Sequence, residues 1–161
     1  MTAAVKAAHK FSLVLQKTRS GKSKAPRPIG VLGLNPHAGD SGLIGKEEAD
    51  IITPVLEKLR GEKVPVEGPL VPDSAFTPSL RERYSLYLAL YHDQGLIPFK
   101  AIHGQNGVHI TWGLPFVRTS VDHGTAFDIA GQGKADSTSM RLAIEWAIKL
   151  CSGFIREEAT S

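Results

Sequence analysis

The chain has a single cysteine, Cys151, among 161 residues. No internal disulfide framework is possible, and the scarcity fits a reducing compartment. There is no apolar run near the roughly 20 residues that a membrane-spanning helix needs. The N-terminus lacks a signal-peptide layout, because Lys6, His9 and Lys10 interrupt its apolar residues. These absences lead us to expect a cytoplasmic protein with no membrane partner. Acidic residues are missing before Asp40, where seven of the 19 basic residues lie. The rest of the chain then carries a net charge of −4. A basic head can signal nucleic acid. No aromatic residue interleaves the run from Lys17 to Arg27, however, as a single-strand binder would require. A solvated helix and linker is the better expectation, with no nucleic-acid partner.

What is present is ordinary for a globular protein: 42% apolar and 22% charged residues. The length suits one domain with an appendage. Thr2–Thr18 reads as a helix with Ala4, Ala8, Phe11 and Leu15 on its apolar face, flanked by Ala7 and Val14. A basic linker follows over 19–28. Its Gly21-Lys22-Ser23 triplet is not a phosphate loop, because Gln16 stands where the first glycine is needed and no strand precedes it. Ile29 to Leu34 reads as a buried strand, and Glu47 to Arg60 as a helix with Ile51, Ile52, Val55, Leu56 and Leu59 inward. Pro54 would kink that helix or mark a late start. Strands are expected over Val64 to Val71, Leu86 to Tyr91, Val108 to Trp112 and Phe116 to Ser120. A last helix runs to about Cys151, with Leu142, Ile144, Ala147, Ile148 and Leu150 inward, and a polar tail closes the chain over 153–161. The alternation predicts an α/β domain over 29–152, with ligands outside the carboxyl ends of its strands.

The richest stretch is Ser120 to Asp136. It is glycine-rich and longer than a simple connection of about 4–6 residues, while Val121, Phe127 and Ile129 argue against disorder. Glycines admit a ligand close to the backbone, and an aspartate on such a loop can accept both hydroxyls of a ribose. Elsewhere, His37 follows the first strand and His92 ends a later one. If these strands are parallel neighbours, both imidazoles emerge at one rim, where they could bind a divalent metal with Asp40 or Asp93 as orienting partners. The alternative is a pair of loop-capping histidines. Lys100 and Arg118 suit a phosphate or carboxylate, or a structural ion pair. His109 should share a strand face with Thr111, and a lone strand histidine is ordinarily a satisfied core residue. Trp112 and Trp146 read as packing residues, and Cys151 has no evident histidine partner to make it a nucleophile.

Three blocks resemble a known family: Asn35-Pro36-His37-Ala38-Gly39; Tyr91-His92-Asp93-Gln94-Gly95; and Gly113-Leu114-Pro115-Phe116-Val117-Arg118-Thr119-Ser120 followed by Asp122-His123-Gly124-Thr125-Ala126. They are similar to the signatures of the 4-hydroxythreonine-4-phosphate dehydrogenases of pyridoxal phosphate biosynthesis. The resemblance covers nearly the whole chain, least well before Pro28, but only the C-terminal half of the family pattern. The segment His123 to Gly131 also resembles the adenosine loop of the isocitrate and isopropylmalate dehydrogenases. The implied fold is their parallel-cored α/β sheet with flanking helices, here truncated.

By this resemblance NAD is the cofactor, with His123, Gly124 and Thr125 lining its site and Asp128 holding the adenosine ribose. A divalent cation (zinc, magnesium or cobalt) is implied at His37 and His92, its third histidine lying outside this chain. Lys100 and Arg118 match two residues that bind the phosphorylated substrate. His109 stands where the family has an asparagine. The implied reaction oxidises a secondary alcohol and then decarboxylates the β-keto acid, in a homodimer. No general base is identifiable; Asp93 and Lys100 are candidates. Three readings stay open: a fragment or split form of this dehydrogenase, a relative acting on a phosphorylated sugar acid or aromatic dihydrodiol, and a non-catalytic nucleotide-binding module.

Overall fold

The structure is a computed structural model that describes residues 1–18, 27–104 and 106–158. Most of the expected basic linker, residues 19–26, lies outside the described residues, as do residues 159–161. The elements are α1 (Thr2–Thr18), β1 (Ile29–Leu32), α2 (Thr53–Gly61), β2 (Val66–Leu70), α3 (Pro78–Arg83), β3 (Leu86–Leu88), α4 (His92–His103), β4 (Val108–Thr111), β5 (Arg118–Val121) and α5 (Thr138–Glu158). The chain divides into two units, and the boundary between Pro98 and Phe99 falls inside α4. No helix among the described residues is long and apolar enough to cross a membrane.

The first unit is an α/β layer. Its parallel sheet has the order β2-β1-β3. β1 is the central strand and buried along its whole length, which explains its unbroken apolar sequence. Ile29 and Val31 pack with Val5 of α1, Ile52, Leu56 and Leu59 of the α2 region, and Val66. On the opposite face Gly30 leaves no room for a side chain. A Cβ there would lie 2.8 Å from Leu70 Cδ1 and 3.1 Å from the buried Tyr84 ring. Tyr84 donates its hydroxyl to Glu67, and Tyr87 donates to the carbonyl of Ala75. Gly68 has φ 140° and sits where a Cβ would strike the Val31 carbonyl, so β2 can lie close to β1 only with glycine at that position.

Several inward faces differ from those expected. On α1, Ala4 is exposed while Val5, Ser12 and Val14 are buried, because valine offers more apolar area than alanine and sets the rotation of the helix. Ile51 is 57% exposed, and the buried row is Ile52, Leu56 and Leu59. The helix does begin near Glu47, but Glu48–Ile52 is wound as a π turn and regular α geometry starts at Thr53. Pro54 follows directly on this wider turn, which accommodates a residue that has no N–H to donate to the preceding turn. Helices α3 and α4 are additions to the expected set. Gly95 and Pro98 are poor helix formers, yet both lie within α4, where the fold overrides local preference.

The second unit packs α5 on the antiparallel pair β4–β5. Thr119 Oγ1 donates to the Ala143 carbonyl at 2.9 Å, and the buried Ser139 Oγ donates to the Gly107 carbonyl at 2.9 Å. The inward residues of α5 are Ser139, Ala143 and Leu150. Ile144 and Ile148, expected to face inward, are 55% and 63% exposed. The helix runs past Ser152 to Glu158, through residues whose composition suggests a polar tail.

Beyond β1 the backbone takes a rare conformation. His37, Ala38, Gly39, Asp40 and Ser41 all have positive φ, forming a left-handed turn. Each non-glycine residue in that region costs roughly 1–2 kcal/mol, so the surroundings must compensate. The carboxylate of Glu48, 5% exposed, anchors the chain that leads into this turn. Its Oε1 accepts from the backbone N–H of Leu34 at 2.7 Å and of Asn35 at 2.8 Å, and its Oε2 accepts from Asn35 Nδ2 at 2.9 Å. A Cβ on Gly39 would lie 2.7 Å from Glu48 Oε2, so the turn needs glycine there. Burial, the largest single influence, pushes the Glu48 pKa up, but the donors from Asn35 and Leu34 outweigh it and hold the group below the ordinary glutamate value.

Leu56→Ala should lower the unfolding free energy by about 2–5 kcal/mol, and Ile51→Ala by less than about 0.5 kcal/mol, read from urea denaturation. Glu48→Ala, which leaves its donors unpaired, should cost roughly 2–3 kcal/mol. Because the folded pKa of Glu48 is depressed, its contribution is complete above the ordinary value of 4.5 and is lost as pH falls through the folded value. A stability–pH profile of Glu48→Gln should accordingly be flatter than that of the wild type below pH 4.5.

Candidate functional site

In the first unit, β1 and β3 are adjacent and parallel, with Ile29 opposite Leu86 and Val31 opposite Leu88. Their carboxyl ends therefore lie at one edge of the sheet. His37 follows β1 and His92 follows β3, so both leave the sheet at this edge, and both are exposed. The Nδ1 of His92 lies 2.7 Å from Asp93 Oδ1. With Nδ1 donating to that carboxylate, Nε2 would present the free lone pair, the arrangement that suits a metal-ligating imidazole. Asp93 also places negative charge in the first turn of α4, where the helix dipole favours it. Among the described residues no group of three histidine, cysteine, aspartate or glutamate side chains converges. The donors present thus fit part of a divalent-metal site: two imidazoles of borderline softness, from adjacent strand ends.

Two residues that sequence reasoning missed organise this edge. Glu48 grips the chain leading into the left-handed turn that carries His37. Gln94, 7% exposed, joins that lead-in to the start of α4. The signals were weak. A glutamate at a helix start ordinarily reads as a dipole partner, and Gln94 lay unremarked inside the Tyr91–Gly95 block.

In the second unit, strand register sorts the candidate residues onto two faces. His109 pairs with Ser120 and Thr111 with Arg118. These four side chains share one face, while Val108, Ile110, Thr119 and Val121 occupy the other, and Thr119 bonds to α5. His109 does share a face with Thr111, but it is exposed and not a core histidine. Its Nδ1 is 3.4 Å from Ser120 Oγ. Arg118 is exposed and donates from Nη1 to Thr111 Oγ1 at 2.8 Å, which holds one edge of the guanidinium and leaves the other edge for an anion. Lys100 is exposed on the last turn of α4, and its carbonyl accepts from Gly104. Trp112 helps line an open hollow with Ile110, Leu114, Phe116 and Leu150.

The loop after β5 is open. His123, Gly124, Thr125 and Asp128 are all exposed, and Phe127 is 83% exposed. His123 Nδ1 lies 3.0 Å from the Gly124 carbonyl, and Gln132 Nε2 donates to the Asp128 carbonyl at 2.6 Å. A Cβ built on Gly124, Gly131 or Gly133 would meet no atom within 4 Å. Packing inside this chain does not demand glycine at these positions, although positive φ at Gly131 and Gly133 favours it. A glycine-lined surface with free space and an outward aspartate fits the approach of a nucleotide.

Residues 3–147 match the family described as pyridoxal phosphate biosynthetic protein PdxA. The chain is 51% identical over 133 residues to the 4-hydroxythreonine-4-phosphate dehydrogenase of Desulfosudis oleivorans, covering 82% of this chain and 39% of that protein. It is 47% identical over 131 residues to the D-threonate 4-phosphate dehydrogenase of Bordetella bronchiseptica, covering 81% of this chain and 37% of that protein. Its fold superposes on the crystal structure of 4-hydroxythreonine-4-phosphate dehydrogenase from Klebsiella pneumoniae with a TM-score of 0.70 and 44% identity, covering 88% of this chain and 43% of the other. The chain spans less than half the length of these relatives. With most of its length matched by the family pattern, and with sequence and fold agreeing, this chain belongs to the PdxA family of pyridoxal phosphate biosynthetic proteins.

Proposed function

We propose that this chain carries the substrate-anchoring, cofactor-loop and partial metal-ligand portion of an NAD-dependent oxidoreductase acting on 4-phosphohydroxy-L-threonine. One observation carries this reading. The family's signature blocks fall on exposed, polar edges of the fold: the shared carboxyl edge of β1 and β3, the polar face of β4–β5, and the open glycine loop. His37 and His92 would hold a divalent cation, and Asp128 with His123, Gly124 and Thr125 would hold NAD. When bound, the cation would acidify the reacting hydroxyl and NAD would accept the hydride. The substrate's C3–H bond breaks with its electron pair leaving as hydride, and the hydroxyl proton is released. The bond from C2 to the carboxyl carbon would then break, its electron pair passing to the C3 carbonyl as an enolate that takes up a proton at C2, with carbon dioxide released. Arg118 and Lys100 would hold the substrate's anionic groups in register. Family membership supports a homodimer as the working form.

A second reading is favoured by His109. Imidazole can donate or accept at a given nitrogen, but it does not reproduce the paired donor and acceptor of an asparagine amide. D-threonate 4-phosphate, named for the Bordetella bronchiseptica relative, shares the phosphate, carboxylate and C3 hydroxyl of 4-phosphohydroxythreonine. It differs at C2, where a hydroxyl replaces the amine. A changed hydrogen-bonding residue on the substrate face is the kind of difference that separates two such ligands.

Titration calorimetry with both phosphorylated acids tests these readings. Binding of one or both is expected, with Arg118→Ala weakening it roughly tenfold or more, the loss expected for one charge-assisted contact. His109→Asn should shift preference toward 4-phosphohydroxythreonine. NADH formation with added metal should be far below that of a full-length relative, since only two metal-donor histidines are supplied. Binding of NAD with neither acid would point to a non-catalytic nucleotide module. Turnover matching a full-length relative would contradict the incomplete metal site.

A further inference from the structure

We infer that Gln94 is a positioning residue that couples the His37 turn to the start of the His92 helix and so presets the separation of the two imidazoles. The inference rests on reading those histidines as metal ligands. The amide of Gln94 is buried and bonds at both ends to main chain that follows two different strands: Nε2 donates to the Gly33 carbonyl at 2.5 Å, and Oε1 accepts from the Leu90 N–H at 2.8 Å. Direct pairing of β1 with β3 ends at Val31 and Leu88. Beyond that point the side-chain amide stands in for a peptide unit. It donates toward one strand end and accepts from the other, just where the two strands part to carry their histidines. Gly33 is also held from its other side, its N–H donating to the Leu70 carbonyl at 2.8 Å. The next two N–H groups, of Leu34 and Asn35, go to Glu48. The lead-in to His37 is thus fixed to α4 by Gln94, to β2 by its own backbone and to the α2 region by Glu48.

Only an amide fulfils both halves of this bridge. Glutamate at the same position would still accept from Leu90 but would set a carboxylate oxygen against the Gly33 carbonyl. Methionine matches the volume and forms neither bond. Side chains that orient metal ligands from behind typically tune metal affinity by 10–100-fold.

A Co²⁺ titration of the purified chain, followed through the imidazole proton resonances of His37 and His92, tests the coupling. In the wild type both rings should respond along one isotherm. In Gln94→Glu the isotherm should weaken roughly tenfold and split, each ring responding on its own. Gln94→Met should do the same, and it serves if Gln94→Glu fails to fold. A positioning role also predicts that in a His92→Ala background neither substitution weakens residual binding at His37 any further. Wild-type affinity with a shared isotherm in both Gln94 variants would overturn the inference while leaving the metal reading intact. Losses that simply add to that of His92→Ala would do the same. No response of either ring in the wild type would overturn the metal reading, and the inference with it.

Discussion

Three residues just beyond the central strand, Gly33, Leu34 and Asn35, are held by bonds from three elements, and the candidate metal edge of the first unit depends on that restraint. Glu48 takes two of their backbone N–H groups and the Asn35 amide. Gln94 takes the Gly33 carbonyl, and Leu70 the Gly33 N–H. After Pro36 come four non-glycine residues in left-handed conformation, His37, Ala38, Asp40 and Ser41, and such a turn persists only where its surroundings over-determine it. A buried carboxylate carries a desolvation cost, and here several donors on adjacent main chain offset it. The result is a rigid lead-in that delivers His37 to the edge where β3 delivers His92.

The second unit works on a different principle. Strand alternation separates a packed face, bonded to α5, from a polar face bearing His109, Thr111, Arg118 and Ser120. The Arg118–Thr111 bond joins directly opposed residues, so the guanidinium is restrained without being neutralised. The glycine loop that follows is shaped less by packing than by what it leaves open. A restrained arginine and an open glycine loop would suit the proposed anchoring of substrate and cofactor.

Much of this was legible in the sequence. The α/β alternation and the bounds of α1 follow from patterns of period 3.6 and period 2, whereas the sharing of one edge by His37 and His92 was conditional on their strands being parallel neighbours, which the register of β1 and β3 supplies. Burial faces were harder. Ile51, Ile144 and Ile148 are apolar yet outward, because periodicity gives the angle between residues on a helix but not its absolute rotation. Helix α4 was hidden by Gly95 and Pro98. Glu48 and Gln94 were missed because each bonds to main chain just beyond β1, at Gly33, Leu34 and Asn35, which only the fold brings near. His109 looked like a core residue because its neighbours are apolar, but its strand faces solvent on that side.

Amide chemical-shift mapping of the isotopically labelled chain tests the central claim most directly, with NAD and D-threonate 4-phosphate or 4-phosphohydroxythreonine added in turn. The phosphorylated acid should perturb Lys100 and the residues of β4 and β5 around His109 and Arg118. NAD should perturb His123 to Gly131, with Asp128 among the most affected. Perturbations confined to other surfaces, or none from either ligand, would contradict the assignment of these edges to substrate and cofactor.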